Sequence, residues 1–235
     1  MNFDPPLVEA KLIKRYKRFL ADVIHPQLGE ITVHCPNTGS MKNCWQKGWP
    51  VWLQKSDNPK RKYPYTWVLT QDDQGDRLCI NTHLANPLVA TAVETNKIAE
   101  IGVGLTLNRE VKYGQENSRI DLLTTDNQGK KNFIEVKSVT LKESDGLGYF
   151  PDAQTLRGQK HIRELIQCKA DGHDATLFFM VMHTGINQLK MAQHIDPVYA
   201  DLIQQAVLNG VKILAYKASI NSDNIALDHR IEILL

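Results

Sequence analysis

Along the first eighty residues the apolar positions come in short runs, at 6–13, 18–24, 30–35, 50–55, 65–71 and 77–81. Polar or Pro/Gly-containing breaks separate them, at 25–29, 36–39, 46–48 and 56–59. No stretch here has the period of a long amphipathic helix. Five or six short strands in so little chain predict a small β-barrel of the oligonucleotide-binding (OB) kind. From residue 83 the pattern changes. Leu84, Leu88, Val89, Ala92 and Val93 make a helical stripe within 83–101, with Asn86 as N-cap and Pro87 in the first turn. A strand is predicted near 108–113, then two strands at 119–124 and 132–138 around a turn at 126–130. An extended loop over 139–152 leads to a helix over 153–170. The apolar run 175–183 reads as a buried central strand. A helix at 196–209 and strands at 211–218 and 230–234 complete the chain. The order is α-β-β-β-α-β followed by α-β, which suits a mixed sheet covered by helices. The expected division is a barrel over 1–82 and an α/β domain over 83–235.

The predicted hairpin carries the candidate chemistry. Asp121 interrupts an apolar strand, where an unpaired buried charge is costly. Glu135 and Lys137 are two residues apart on the next strand and therefore share a face. If strand pairing brings Asp121 to that face, two carboxylates and an ammonium converge. Two carboxylates at one point repel unless a cation lies between them. Oxygen ligands of this kind suit Mg²⁺ (or Mn²⁺), with Asp121 and Glu135 as metal ligands and the Val136 carbonyl as a further donor. This D…E-x-K arrangement, PD-(D/E)XK in shorthand, is that of restriction-endonuclease-like phosphodiesterases, and the α-β-β-β-α-β order is theirs too. Alone, E-x-K is common and far more often a Glu–Lys pair on a solvated strand face. His161 and Arg157 lie on a polar helix face that faces either the site or solvent.

Charge adds a second theme. Residues 1–71 hold eleven Lys/Arg against five Asp/Glu, whereas 83–235 hold sixteen against eighteen. All four tryptophans fall in the basic part. Arg15, Lys17, Arg18, Arg61 and Lys62, interleaved with Tyr and Phe, are candidate DNA contacts. The competing reading is a lysine-guarded strand edge over a tryptophan core. Thr38 and Ser40 near Gly39 could hold a phosphate, but 34–41 lacks the glycine and lysine spacing of a P-loop. The eight histidines form no zinc-hydrolase motif, and the four cysteines form neither C-x-x-C nor a disulfide framework. No secretory leader and no 18-residue apolar run is present, so a cytoplasmic protein with no membrane partner is expected.

Longer stretches extend the reading. R-Y-K-R-F-L-A-D-V (15–23), H-C-P-N-T-G-S-M (34–41), R-K-Y-P-Y-T-W (61–67), E-V-K-Y-G (110–114), S-R-I-D (118–121), I-E-V-K-S-V-T-L (134–141) and the run from Phe150 to Leu165 resemble the sugar fermentation stimulation protein A family. The resemblance covers nearly the whole chain. It implies an OB-like barrel joined to a restriction-endonuclease-like α/β domain. It also implies DNA binding and a link to the regulation of sugar (maltose) utilisation in bacteria. Such proteins tend to carry Glu in an L-x-x-E-A stretch of the first helix. Here Thr91 stands at that place, and Glu94, three residues on, is the candidate substitute. Two functions follow: a Mg²⁺-dependent nuclease using Asp121, Glu135 and Lys137, or a DNA-binding regulator that does not cut. No sugar- or nucleotide-binding fingerprint supports a third, metabolic reading.

Overall fold

The fold is that of a computed structural model, which describes residues 1–114 and 118–235. Six strands form the N-terminal unit: β1 (Val8–Tyr16), β2 (Leu20–His25), β3 (Gly29–His34), β4 (Pro50–Lys55), β5 (Tyr65–Gln71) and β6 (Arg77–Cys79). Their order is β3-β2-β1-β4-β5-β6, and a β3–β5 bridge between His34 and Thr66 closes the first five into a barrel. Its interior holds Leu12, Val23, Val33, Leu53, Trp67 and Ile80. Trp67 is fully buried, and its indole N–H donates to the Leu69 carbonyl and the Thr70 hydroxyl. Trp52 is buried as well, so two of the four tryptophans are core.

A 3₁₀ turn (Thr82–Leu84) leads into α1 (Ala85–Glu94). Asn86 is the second residue of this helix, not its N-cap; that place belongs to Leu84, which makes no side-chain cap. Next come β7 (Thr106–Tyr113), β8 (Ser118–Thr125) and β9 (Lys131–Val139). The β8–β9 turn closes by Gly129 N–H to the Asp126 carbonyl and Asp126 N–H to the Lys130 carbonyl. Residues 141–150, expected as loop, are two strands, β10 (Leu141–Ser144) and β11 (Gly146–Phe150). Then follow α2 (Leu156–Ala170), β12 (Asp174–Val181), β13 (Ile186–Met191), α3 (Pro197–Leu208), β14 (Lys212–Ile220), β15 (Ile225–Arg230) and β16 (Glu232–Leu234). The main sheet has the order β15-β14-β12-β9-β8-β7, and a smaller one the order β10-β11-β13-β16. Strand β12 is central, buried along almost its whole length, and parallel to both neighbours. That fits its unbroken apolar sequence.

Helices cover both faces. Helix α1 packs on one core with Ile134, Val136, Phe178 and Met180. Helices α2 and α3 pack on the other with Phe133, Leu177, Phe179 and Val181. One fully buried carboxylate ties α2 to α3. Asp196 caps α3 at Tyr199 N–H and also accepts from Thr155 N–H and the Gln159 amide. The barrel joins the α/β unit through β6. Cys79 N–H donates to the Met182 carbonyl, and Thr184 N–H to the Arg77 carbonyl. Trp52, Val68, Leu69 and Cys79 of the barrel share one apolar core with α1.

Candidate active site

The β8–β9 register pairs Leu122 with Ile134 and, one step further, sets Asp121 beside Glu135. There the ladder gives way to a side chain: Asp121 Oδ2 accepts Val136 N–H at 2.8 Å. Its other oxygen accepts from the Asn86 carboxamide at 2.7 Å. The expected face of β9 is realised, because Lys137 Nζ lies 2.6 Å from Glu135 Oε1. His161 Nδ1 of α2 bonds the same oxygen and lies 3.2 Å from Lys137 Nζ. On its far side, Arg157 Nε approaches His161 Nε2 at 3.5 Å. A guanidinium can only donate, so Nε2 accepts and Nδ1 carries the proton given to Glu135.

Electrostatics separate the two carboxyls. Burial, then the nearby Glu135 charge, pushes the Asp121 carboxyl up to about 6. Burial would also raise Glu135, but Lys137 and His161 outweigh it and hold the carboxyl below its usual range. Glu135 Oε2 is buried and has no hydrogen-bond partner. Such a group is costly unless something pairs with it.

A cleft of about 320 Å³ opens over Asp121, lined also by Thr82, His83, Asn86, Arg109 and Glu110. Glu110 lies across the β7–β8 ladder from Asp121, between the pairs Arg109–Leu122 and Val111–Ile120. It has φ +54°, a left-handed conformation uncommon outside glycine. Strand alternation breaks at the same level: Ile120 joins the α2-side core while Leu122, two residues on, joins the α1-side core. This irregularity is what sets Asp121 at the junction of α1 and β9. The acid substitute expected on α1 is not there. Glu94 is exposed and held by Arg109 at 3.0 Å, and Thr91 is exposed. Asn86 is the α1 side chain that reaches Asp121. Among the described residues, no three His, Cys, Asp or Glu side chains are gathered closely enough to cage a metal ion.

The basic candidates separate as well. Arg15 turns inward, its Nη2 donating to the carbonyls of Arg18, Asn37 and Gly39. Lys17 and Arg18 are exposed in the β1–β2 turn, both at positive φ. Arg61 is half-buried and bonded to Thr66, and Lys62 is exposed over the Tyr63 ring. Burial, then the Arg61 and His83 charges, lowers the pKa of His34. The Arg61 and His83 charges are thus both felt at His34, and His83 lines the Asp121 cleft. The 34–41 loop is an inter-unit contact: Ser40 Oγ lies 2.9 Å from Asp152 Oδ2 and 3.0 Å from the Asp152 carbonyl.

Two family models match the chain in tandem. Residues 13–80 match the SfsA N-terminal OB domain, and residues 83–224 the sugar fermentation stimulation protein RE domain. A sugar fermentation stimulation protein homolog from Shewanella frigidimarina is 53% identical over 235 residues, the full length of both chains. The chain belongs to the sugar fermentation stimulation protein family. Its fold is shared with the solved structure of Pyrococcus furiosus SfsA, a protein determined in complex with Ca²⁺. The TM-score is 0.86 at 24% identity, covering 98% of this chain and 97% of that one. The OB barrel followed by a restriction-endonuclease-type α/β unit is thus the family architecture. No helix among the described residues is long and apolar enough to cross a membrane.

Within this family frame, Asn86, His83 and Glu110 are the site residues that sequence reasoning missed. Only Glu110 left a signal: it opens the quoted motif E-V-K-Y-G, where an acid stands in a strand one step from the hairpin that carries Asp121 and Glu135.

Proposed function

We propose that this protein is a divalent-metal-dependent phosphodiesterase acting on nucleic acid. In this reading residues 1–82 bind the strand and residues 83–235 cut it. The observation that carries the proposal is the buried Glu135 Oε2, left without a partner beside Asp121, with Lys137 on the opposite oxygen. That donor set fits one hard ion, Mg²⁺ or Mn²⁺, which is commonly held by one or two carboxylates plus waters and substrate phosphate. The Ca²⁺ in the Pyrococcus furiosus relative supports the same class of ion. When bound, such an ion polarises the phosphoryl oxygen and lowers the pKa of an attacking water. The chain's own groups do the rest. His161 and Lys137 fix Glu135 Oε1 and leave Oε2 to the ion. Lys137 offers its remaining N–H donors to the charge growing on the phosphoryl oxygens. Asn86 and Val136 N–H orient Asp121. Arg61 and His34, beside His83, lead from the barrel to the cleft, a path on which the phosphates of a DNA strand would lie.

The test is a Mg²⁺ and Mn²⁺ titration with single- and double-stranded DNA and RNA. The wild type is expected to cleave at least one of them. Glu135→Ala should be inactive, and Lys137→Ala should lose about 10²–10³-fold. No metal-dependent cleavage of any substrate would remove the enzymatic reading. DNA binding without cleavage is the second function, favoured by the neutral Thr91 and by the diversion of Glu94 to Arg109. It would then be the one retained, with the family's link to sugar utilisation exercised through binding.

Salt dependence separates the basic residues. Replacing Arg61 or Lys62 with Ala should flatten the slope of log K against log salt by about 0.9 each on duplex DNA. Arg15→Ala should leave that slope unchanged, because its guanidinium serves three carbonyls of its own barrel. It should instead lower stability by about 2–3 kcal/mol, as measured by urea denaturation.

A further inference from the structure

A second cavity, of about 460 Å³, lies on the α2 side of the sheet, apart from the Asp121 cleft. Its walls come from β7, β8, β9 and α2. Tyr113, Leu123 and Phe133 line it together with Glu164, and Tyr113 stacks on Phe133 with ring centroids 5.5 Å apart. Glu164 is only 5% exposed, yet neither carboxylate oxygen has a hydrogen-bond partner. The Tyr113 hydroxyl is also buried and unpartnered. Gly114, at φ +70°, closes over this carboxylate; a Cβ there would strike Glu164 Oε1. The exposed rim of the same cavity carries three cations, Lys112, Lys131 and Arg163, against one acid, Asp171.

These features specify a ligand. The two unpartnered carboxyl oxygens of Glu164 offer acceptors side by side, which a ligand with two adjacent donors would satisfy. The aromatic and aliphatic walls call for a flat apolar body. The outer cations call for negative charge at the other end. We infer that this cavity is a binding site for a guanine nucleotide. Guanine's Watson–Crick edge presents N1–H and N2–H side by side to Glu164, its ring lies against Tyr113 and Phe133, and its phosphate meets Lys112, Lys131 or Arg163. Adenine and cytosine each place an acceptor beside their single amino donor, and uracil flanks its one N–H with carbonyls. The volume suits a small-molecule site. Glu164 is one helical turn beyond His161, and burial together with the Glu135 and Glu164 charges raises the Tyr113 hydroxyl pKa. If the proposed nuclease activity holds, an unstacked guanine next to the scissile phosphate would occupy the cavity, a mode used by enzymes that read flipped bases.

The experiment is equilibrium binding of GMP, IMP, AMP, CMP and UMP to the full-length protein without divalent metal, so that it does not depend on cleavage. GMP should bind at least about tenfold tighter than AMP, CMP or UMP, a difference in line with one good bidentate contact. IMP, which lacks the 2-amino donor, should fall between GMP and AMP. Glu164→Gln should lose the preference for GMP. A parallel arm compares an oligothymidylate containing one guanine with one containing none. Preference in that arm alone identifies the source as guanine within a strand, and preference for GMP alone identifies the free nucleotide. AMP binding as tightly as GMP, no binding by any nucleotide or oligonucleotide, or a folded Glu164→Gln that keeps the preference would each overturn the assignment. If Glu164→Gln does not fold, the GMP–IMP–AMP order on the wild type decides. A protein that binds GMP but never cuts leaves this site standing and removes only the nuclease.

Discussion

Asp121→Asn is expected to give a protein that is more stable than the wild type at neutral pH and no longer takes up a divalent cation. The Asp121 carboxyl titrates at about 6 in the fold, against an ordinary value of 3.8, chiefly because it is buried and secondly because Glu135 is close. The folded state therefore holds this proton more tightly than the unfolded state does. Below about pH 4 both states are protonated and the residue costs nothing. As pH rises through 4 to 6 the unfolded chain releases the proton first, and stability falls until the folded carboxyl has ionised as well. Above that, the cost of keeping Asp121 charged is on the order of 2–3 kcal/mol. Asparagine removes it but gives up one acceptor for Asn86 or Val136 N–H, worth about 1 kcal/mol. The expected gain is thus about 1–2 kcal/mol at pH 7.5 and close to zero or slightly negative at pH 4. Urea denaturation at the two pH values measures it. Mg²⁺ should stabilise the wild type in proportion to the logarithm of its concentration and leave Asp121→Asn unmoved. A variant less stable than the wild type at pH 7.5, or one still stabilised by Mg²⁺, would mean that Asp121 is a structural residue and not a metal ligand.

The chain's own periodicity made this site readable in part. Glu135 and Lys137 alternate with Ile134, Val136 and Ser138, and that period alone sets the two charged groups on one face. Asp121 was legible because a charge within Ile120–Leu123 has no cheap reason to be there. Of the partners of these groups, His161 was legible as a candidate on its polar helix face, with solvent as the alternative, whereas Asn86 was legible only as a helix cap. Asn86 is 35 residues from Asp121, and His161 is 26 from Glu135. No local period says which helix face will close over a strand. The Thr91 and Glu94 expectation failed for that reason: a helical neighbour of an expected acid can point to a different partner, here Arg109. Arg15 looked like a phosphate contact because sequence records a charge but not the direction of its side chain. Strands β10 and β11 were missed because Gly146 and Gly148 lower strand propensity. In the fold Gly148 is required by packing, since a Cβ there would lie 2.7 Å from Ile186 Cγ2 on the neighbouring strand. Long apolar runs such as β12 needed no such context and were read correctly.

Lys142→Met should cost about 3–5 kcal/mol, the range found when one partner of a buried ion pair is removed. Lys142 comes from β10, yet its ammonium sits against the β5–β6 turn of the barrel. Nζ lies 2.6 Å from both Asp76 Oδ2 and Gln74 Oε1, and 3.7 Å from Asp72 Oδ2. The Lys142 and Asp72 side chains are only 12% and 10% exposed, so the charges are largely out of water. Methionine keeps the length and apolar stem of lysine but leaves Asp72 and Asp76 facing each other without a cation. Gly185 makes the same knot from the other side: a Cβ there would overlap Asp76, and Gly185→Ala should do comparable damage. Because the knot joins the barrel to the α/β unit, its loss should separate their melting. Calorimetry is expected to show two transitions for Lys142→Met where the wild type shows one. It also bears on function. If a strand passes from Arg61 and His34 to the Asp121 cleft, the barrel must keep its position against β10. On the proposed function, Lys142→Met should then lose nucleic-acid cleavage beyond its loss of folded population, while the proposed metal site, built wholly within the α/β unit, should bind Mg²⁺ as in the wild type. Equal loss of metal binding and cleavage would show that the two units do not act as separate parts, and that the barrel's placement is not what brings the strand to the site.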